Sequence, residues 1–166
     1  MASITSPLKV RERKRRVWAE DASGTTVVDG TTSVHPDPFA ATTSSGSWRI
    51  ARAVQGGPAF SPVFDPSGRE VARLDRTDRR QFLVQLASGE SAAVTSGGSM
   101  MITGFRCEIG DWTLAKAPRL APQRYFTLTL SDAVLARPDV ELIAVIAVYI
   151  SETRIATLIT NSSIGD

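Results

Sequence analysis

The sequence predicts a mainly β protein, arranged as an antiparallel sandwich or barrel. Short segments of alternating apolar and polar residues follow one another along the chain, as in the late segment where Phe126, Leu128 and Leu130 share one face. Turn residues separate these segments, and three turns contain a Ser-Gly pair that suits a hairpin tip, since glycine adopts the positive φ that tight turns need. The three turns are Asp21–Gly24, Asp65–Gly68 and Leu86–Gly89.

The N-terminal segment is set apart by its charge. Residues 1–16 hold six basic residues and one acid, Glu12, whereas the remaining 150 residues hold 13 basic and 16 acidic residues. Two interpretations stay open for this segment. It is either a basic arm that attracts anionic lipid headgroups or nucleic acid, or the first strand, over residues 9–18, with an exposed charged face that prevents aggregation. The candidate anion-binding or lipid-binding residues are Lys9, Arg11, Arg13, Lys14, Arg15 and Arg16.

The segment over residues 30–47 is rich in Thr, Ser and Pro. Pro36 and Pro38 interrupt regular strand pairing, so the composition predicts a long loop or a flexible insertion. Trp48 then opens a strand pattern that continues to Val54. Further strand patterns lie at Gln81–Leu86, at the alternating residues Met101, Phe105, Cys107 and Ile109, at Trp112 and Leu114, and at Tyr125–Leu130.

An apolar segment over about residues 139–152 interrupts the strand pattern. Its many β-branched residues favour a strand, whereas the Pro138-Asp139 start signal and the acidic Glu141 in the first turn favour a helix. We favour the helix and keep the strand as the alternative. Such a helix is apolar on every side, so it must be enclosed by protein or lipid.

These features together resemble the tubby C-terminal-like superfamily, which includes the LURP-one-related proteins, the phospholipid scramblases and small bacterial relatives. The resemblance lies in the hairpin Phe64–Leu74, the late strand Tyr125–Leu130 and the apolar segment 142–150. It covers most of the chain, roughly from Lys9 to Thr160. It implies a closed antiparallel β-barrel that wraps one hydrophobic C-terminal helix. It also implies a binding function at membranes, because tubby proteins are linked with phosphoinositides.

Two features of the scramblases are absent from the chain. The segment after the apolar stretch, from Tyr149 to Ser163, has no acidic cluster of the kind that binds calcium, and Cys107 is a lone cysteine where scramblases carry a cysteine-rich lipidation stretch. The resemblance therefore extends to the fold and to a binding role, and it does not extend to calcium-dependent scrambling.

No motif of catalysis or cofactor binding occurs in the sequence. His35, the only histidine, lies in the Pro-rich segment and is expected to be solvated, and no G-x-S-x-G elbow supports a catalytic triad. Cys107 alternates with apolar residues and is expected to be a small buried hydrophobe. One histidine and one cysteine argue against a structural zinc site. Phosphate-binding glycine motifs are absent.

The remaining signals concern compartment and size. At 166 residues the chain has the length of one domain, residues 1–166, and a single cysteine allows no internal disulfide. The N-terminus has no apolar core of a signal peptide, and the run Val140–Ile150 is too short to span a membrane. We therefore expect a cytoplasmic protein, peripheral to the membrane at most.

The sequence thus predicts a non-enzymatic, tubby-like binding module without a cofactor or metal. Its expected partner is an anionic membrane surface or another protein. The alternatives are a nucleic-acid-associated protein that uses residues 9–16 against phosphates, and an enzyme with unrecognised chemistry.

Overall fold

The computed structural model describes residues 4–31, 38–52, 60–77, 81–97, 102–106, 112–116 and 125–150. Within these ranges the chain forms twelve strands, one short helix and one longer helix, which confirms the prediction of a mainly β protein. The strands are β1 Leu8–Arg13, β2 Arg16–Glu20, β3 Thr26–Thr31, β4 Phe39–Thr43, β5 Gly46–Ile50, β6 Phe60–Phe64, β7 Glu70–Arg76, β8 Gln81–Leu86, β9 Ser91–Gly97, β10 Ile102–Arg106, β11 Trp112–Lys116 and β12 Tyr125–Leu130. The helices are α1 Asp132–Leu135 and α2, residues 140–150.

The strands form one antiparallel sheet in which each strand pairs with the next one along the chain. β1 also pairs with β12, so that Leu8 lies opposite Leu128 and Val10 lies opposite Phe126. The first and the last strand of the sequence are therefore neighbours. One large antiparallel sheet followed by a C-terminal helix confirms the coarser part of the predicted architecture, and the closed barrel around that helix stays a prediction.

The basic N-terminal segment forms a hairpin. β1 ends at Arg13 and β2 begins at Arg16, directly opposite it, so only Lys14 and Arg15 remain for the turn. The expectation of a single first strand over residues 9–18 was therefore wrong, because the chain reverses in the middle of the basic run. The arm interpretation also falls short, since four of the six basic residues, Lys9, Arg11, Arg13 and Arg16, lie within the paired strands.

The loop predicted over residues 30–47 was also wrong for the part that the structure describes. β4 and the start of β5 lie within it and pair with each other, with Ala41 opposite Trp48. The Thr-rich composition was misinterpreted as a loop signal, although threonine favours strands. Phe39 and Ala41 alternate with exposed residues and are buried. Residues 32–37 lie outside the described ranges.

The Ser-Gly turns form hairpin tips, as predicted. In the first two, an aspartate oxygen accepts hydrogen bonds from the backbone N–H and the hydroxyl of the serine two residues on, and from the N–H four residues on. These distances are 2.9, 2.6 and 3.0 Å for both Asp21 and Asp65. Gly24 has a φ of 85° and Gly68 a φ of 82°, which explains the glycine at this position.

The apolar segment is a helix and not a strand. Residues 142–150 of α2 are each at most 7% exposed, and nine residues make two and a half turns, so the helix is buried on every side. Its side chains belong to the same core as the inward-facing residues of the sheet. The rings of Phe39 in β4 and Tyr149 in α2 have centroids 5.5 Å apart. Within the described ranges, no helix is long and apolar enough to cross a membrane.

Because the strands alternate in direction, their connections alternate between two ends of the sheet. We call the end that carries the β2–β3, β4–β5, β6–β7 and β8–β9 turns the entry end, since Glu141 of α2 bonds to the β4–β5 turn there. We call the other end, which carries the β1–β2 turn and the start of β4, the exit end. Tyr149 contacts Phe39 at the exit end, so α2 runs from the entry end toward it.

Candidate functional site

The β1–β2 hairpin carries all six candidate residues, and strand alternation decides which way they point. Leu8 and Val10 of β1 are buried in the core. Lys9 and Arg11 therefore face outward, since successive side chains of a strand point to opposite faces. The hairpin thus has an apolar inner face and a basic outer face.

Arg11 is engaged in the middle of this outer face. Its Nε donates to a carboxylate oxygen of Glu20 on the neighbouring strand at 3.1 Å. The Trp18 indole N–H donates to the other oxygen at 2.9 Å. The hydrogen bond from Trp18 holds the pKa of Glu20 below its ordinary value. Partial burial opposes this shift, whereas Arg11 and Lys9 add to it. Arg11 therefore serves the cross-strand packing of the hairpin.

Arg16 is held in a similar way. Its guanidinium donates two hydrogen bonds of 2.8 Å to the carboxylate of Asp29 on β3. It also lies 4.9 Å from the centre of the Trp18 ring, a distance typical of a cation–π contact. The hydrogen bond to Asp29 and the charge of Asp29 raise the pKa of Arg16, and desolvation opposes this shift without cancelling it. Arg16 is thus a structural cation between β2 and β3.

The tip of the hairpin differs from the rest. Arg13, Lys14 and Arg15 are exposed, and none of them forms an ion pair with any residue that the structure describes. Arg13 also lies directly opposite Arg16, an arrangement of like charges that disfavours strand pairing. Three adjacent cations at the tip are therefore available to an external anion. We refer to Arg13, Lys14 and Arg15 as the basic tip.

Lys14 adopts a backbone conformation that favours glycine. Its φ is 57°, and it is the first central residue of a two-residue turn, where glycine or asparagine is the usual choice. A non-glycine residue in the left-handed region costs roughly 1 kcal/mol, and such strain is often found at functional sites. The hairpin therefore keeps a cation at a position where a neutral glycine would fit more easily.

The six candidates thus separate into three groups. The structure brings Arg13, Lys14 and Arg15 together at the exit end, and it uses Arg11 and Arg16 in ion pairs with neighbouring strands. Lys9 lies opposite Glu20, away from the tip. The sequence identified the whole basic run, but it could not separate these groups, because the acidic partners of Arg11 and Arg16 become visible only with the strand register.

Other residues singled out in the sequence have structural roles or lie outside the described ranges. His35 and Cys107 lie outside the described ranges. Trp48 is buried, and its indole N–H donates to the Thr43 hydroxyl at 2.8 Å, so it is a core residue. Among the residues that the structure describes, no three His, Cys, Asp or Glu side chains lie together as a metal site would require.

A shallow depression on the β5–β6 side was not anticipated from the sequence. It has a volume of about 370 Å³ and is lined by Pro38, Arg49, Ala51, Arg52 and Phe64. The guanidinium carbon of Arg49 lies 4.7 Å from the centre of the Phe64 ring, and that of Arg52 lies 6.0 Å from the Tyr149 ring. These contacts arise from strand pairing and from the position of α2, which no local sequence signal reveals.

Comparisons with protein-family models, with curated proteins and with solved structures found no match to the chain. The resemblance to the tubby C-terminal-like superfamily therefore stays a prediction. The functional assignment rests on the geometry of the hairpin.

Proposed function

We propose that the chain is a non-enzymatic binding module of the tubby-like type that attaches to anionic phospholipid surfaces through the basic tip. The observation that carries this proposal is the set of three adjacent exposed cations, Arg13, Lys14 and Arg15, without ion pairs among the described residues. A second observation supports it, since the positive φ of Lys14 disfavours the residue found there. A cytoplasmic location at the inner membrane surface belongs to the same proposal.

The architectural part of the proposal is a closed barrel around α2. The pairing of β1 with β12 supports closure, because it places the first strand beside the last one. The complete burial of residues 142–150 supports a central position for the helix. A closed sheet has no unpaired edge, which suits a protein that exposes its hairpins to a surface.

The strength of the proposed attachment follows from the number of cations. A basic residue close to an anionic leaflet contributes about 1 kcal/mol, so the basic tip contributes about 3 kcal/mol. This corresponds to an enhancement of roughly 150-fold over a neutral surface. The interaction is screened over about 8 Å at physiological ionic strength. We therefore expect weak, reversible and salt-sensitive attachment.

The test is co-sedimentation of the full chain with vesicles of phosphatidylcholine alone, or with phosphatidylserine added, at low and physiological salt. Removing residues 1–16 is unsuitable, because β1 pairs with both β2 and β12. The informative variant is R13Q/K14Q/R15Q, which changes exposed side chains only. Its matched control is K9Q/R69Q/R73Q, which removes three exposed cations elsewhere.

The proposal predicts that the native chain and the control sediment with anionic vesicles, and that the tip variant does not. Failure of the native chain to bind anionic vesicles at low salt would refute it. Binding of a single-stranded or duplex oligonucleotide in preference to anionic vesicles, with a steep salt dependence, would instead favour the nucleic-acid alternative.

A further inference from the structure

Arg49 of β5 is an exposed arginine whose cross-strand neighbours carry no charge. Trp48 and Ile50 on either side of it are buried, so its own side chain faces outward. It lies directly opposite Ala40 of β4 and Phe64 of β6. In the part of the chain that the structure describes, no acid forms an ion pair with Arg49 and no group accepts a hydrogen bond from its guanidinium. These residues therefore leave its positive charge without a counter-ion.

A comparison with Arg73 of β7 shows what is particular to Arg49. The guanidinium carbon of Arg73 lies over the Phe60 ring, 4.7 Å from its centre, and that of Arg49 lies over the Phe64 ring at the same distance. Arg73 also forms an ion pair with Glu70. The contact with an aromatic ring is therefore common to both arginines, whereas the lack of an acidic partner among the described residues distinguishes Arg49.

Arg49 also lines the depression of about 370 Å³ between β5 and β6. The walls around it include the apolar side chains of Pro38, Ala51 and Phe64. Small-molecule sites typically have a volume of about 300–1,000 Å³, mostly apolar walls and a few polar groups that orient the ligand. Arg52 completes the lining, but it has other contacts in the protein, so we assign the anion to Arg49. The depression thus combines an apolar wall with one available cation.

We propose that this depression binds a small organic monoanion, a carboxylate attached to a compact apolar or aromatic group. The planar guanidinium of Arg49 presents N–H donors in a fork that matches the two oxygens of a carboxylate. The apolar part of the ligand lies against Phe64 and Pro38. One guanidinium balances one negative charge, whereas a phosphate monoester carries up to two at neutral pH and would keep an excess.

This site is separate from the basic tip. The tip joins β1 to β2, and β3 and β4 lie between β2 and β5 in the sheet. The inference therefore goes beyond the proposed function and does not depend on membrane attachment. The depression is shallow and leaves much of a ligand in contact with water, so we expect weak binding, with a Kd of about 1–10 mM for a ligand as small as benzoate.

The first test is a titration of the ¹⁵N-labelled full chain with benzoate at constant ionic strength, followed by ¹H–¹⁵N NMR spectra. Benzamide, a neutral molecule of the same shape, is the matched ligand control. We expect saturable shifts of the backbone amide signals of Arg49, Ala51 and Phe64 with benzoate, and about tenfold weaker binding of benzamide. Equal affinities for the two, shifts confined to other residues, or no saturable shift would overturn the inference.

The second test compares substitutions of the two arginines that lie over aromatic rings. Arg49→Gln is expected to weaken benzoate binding about tenfold, and Arg49→Lys about threefold, because lysine keeps the charge but loses the fork. Arg73→Gln removes the equivalent charge outside the depression and is expected to leave the affinity unchanged. Equal losses for Arg49→Gln and Arg73→Gln would contradict a site at Arg49.

The tip variant R13Q/K14Q/R15Q separates this inference from the proposed function. It is expected to bind benzoate with the affinity of the native chain, since the three substituted residues lie outside the depression. Loss of benzoate binding in this variant, with binding retained in Arg49→Gln, would place the anion at the tip and overturn the inference. Absence of vesicle binding by the native chain would refute the proposed function and leave the benzoate result in force.

Discussion

Glu141, in the first turn of α2, accepts a hydrogen bond of 2.5 Å from the hydroxyl of Thr43 at the end of β4. The hydroxyls of Ser44 and Ser45 donate to the same carboxylate, and the Ser45 backbone N–H lies 3.3 Å from it. These contacts join residues that are almost one hundred positions apart in the chain. The helix beyond this point is apolar, so its polar contacts to the sheet lie at its start, and the β4–β5 turn supplies those of Glu141.

The first prediction concerns this contact. Glu141→Ala is expected to lower the free energy of unfolding by about 1–3 kcal/mol, because it removes a charged acceptor and leaves hydroxyls without their partner. Glu141→Gln is expected to cost less, since it can still accept a hydrogen bond. Urea unfolding measures both, with Glu70→Ala, a half-buried carboxylate paired with Arg73, as the control. Equal values for Glu141→Ala and Glu70→Ala would contradict the anchoring role.

The second prediction is a loss of stability in acid that depends on Asp21. The Ser23 hydroxyl donates a hydrogen bond to this buried carboxylate and lowers its pKa. Burial raises the pKa, whereas the Thr5 hydroxyl and two backbone N–H groups lower it further. The net result is a pKa that falls from 3.8 to about 2. A depressed pKa contributes stability that is present above the unfolded value of 3.8 and is lost as the pH falls toward 2.

Urea midpoints at pH 7, 4 and 2 test this prediction. Asp21→Asn is expected to lower the midpoint at pH 7 and to flatten the decline between pH 4 and pH 2. Asp65→Asn, in the same turn geometry but without a counterpart of Thr5, is expected to flatten it less. An unchanged decline in Asp21→Asn would show that other groups control acid stability.

The third prediction tests whether α2 is enclosed on every side. Ile146 and Val148 point to nearly opposite faces of the helix, because successive residues are 100° apart, and both are at most 2% exposed. Ile146→Ala is expected to destabilise the protein by about 2–5 kcal/mol and Val148→Ala by about 1.5–3 kcal/mol. Thermal or urea unfolding measures both changes. If one of the two substitutions had almost no effect, the helix would have a solvent-facing side and its central position would be wrong.

The fourth prediction concerns Arg137, which connects the β8–β9 turn to the start of α2. Its guanidinium donates to Glu90 at 3.1 and 2.7 Å and to Asp139 at 2.8 and 3.0 Å. The hydrogen bonds to Asp139 and Glu90 raise the pKa of Arg137, although desolvation lowers it. Arg137 therefore stays charged. Arg137→Gln is expected to cost about 1–2 kcal/mol at low salt and less at high salt.

The matched control for Arg137 is Arg69→Gln. Arg69 lies 3.4 Å from Asp65 and its side chain is 78% exposed, so its removal is expected to change the unfolding free energy by less than about 0.5 kcal/mol. Urea unfolding at two salt concentrations compares the two. Equal, salt-independent effects would show that Arg137 does not hold the β8–β9 turn to the helix entry.

The parts of the fold that the sequence revealed are those with a local chemical signal. The turns at Asp21 and Asp65 were recognisable because aspartate, serine and glycine each meet a stereochemical demand of the turn. The helix at 140–150 was recognisable from its length and from its acidic first turn, although its β-branched residues favoured a strand. In that case enclosure in the core overrode local propensity.

The errors came from segments where composition and pairing disagree. β4 lies in a segment whose Ser, Thr and Pro content suggested a loop, but its own residues pair with both β3 and β5. The β1–β2 turn has neither glycine nor proline, and Lys14 adopts a positive φ that charge patterning cannot reveal. The basic run was recognised as the candidate site, but the separation of the tip from Arg11 and Arg16 depends on long-range register.

The most direct test of the account is the salt dependence of binding to anionic vesicles for the native chain, the tip variant R13Q/K14Q/R15Q and the control K9Q/R69Q/R73Q. The account predicts that the native chain and the control bind at low salt and lose affinity steeply as salt rises, because screening weakens the attraction. It also predicts that the tip variant binds weakly at every salt concentration. Equal affinities and equal salt slopes for the tip variant and the control would contradict the central claim that the basic tip is the membrane contact.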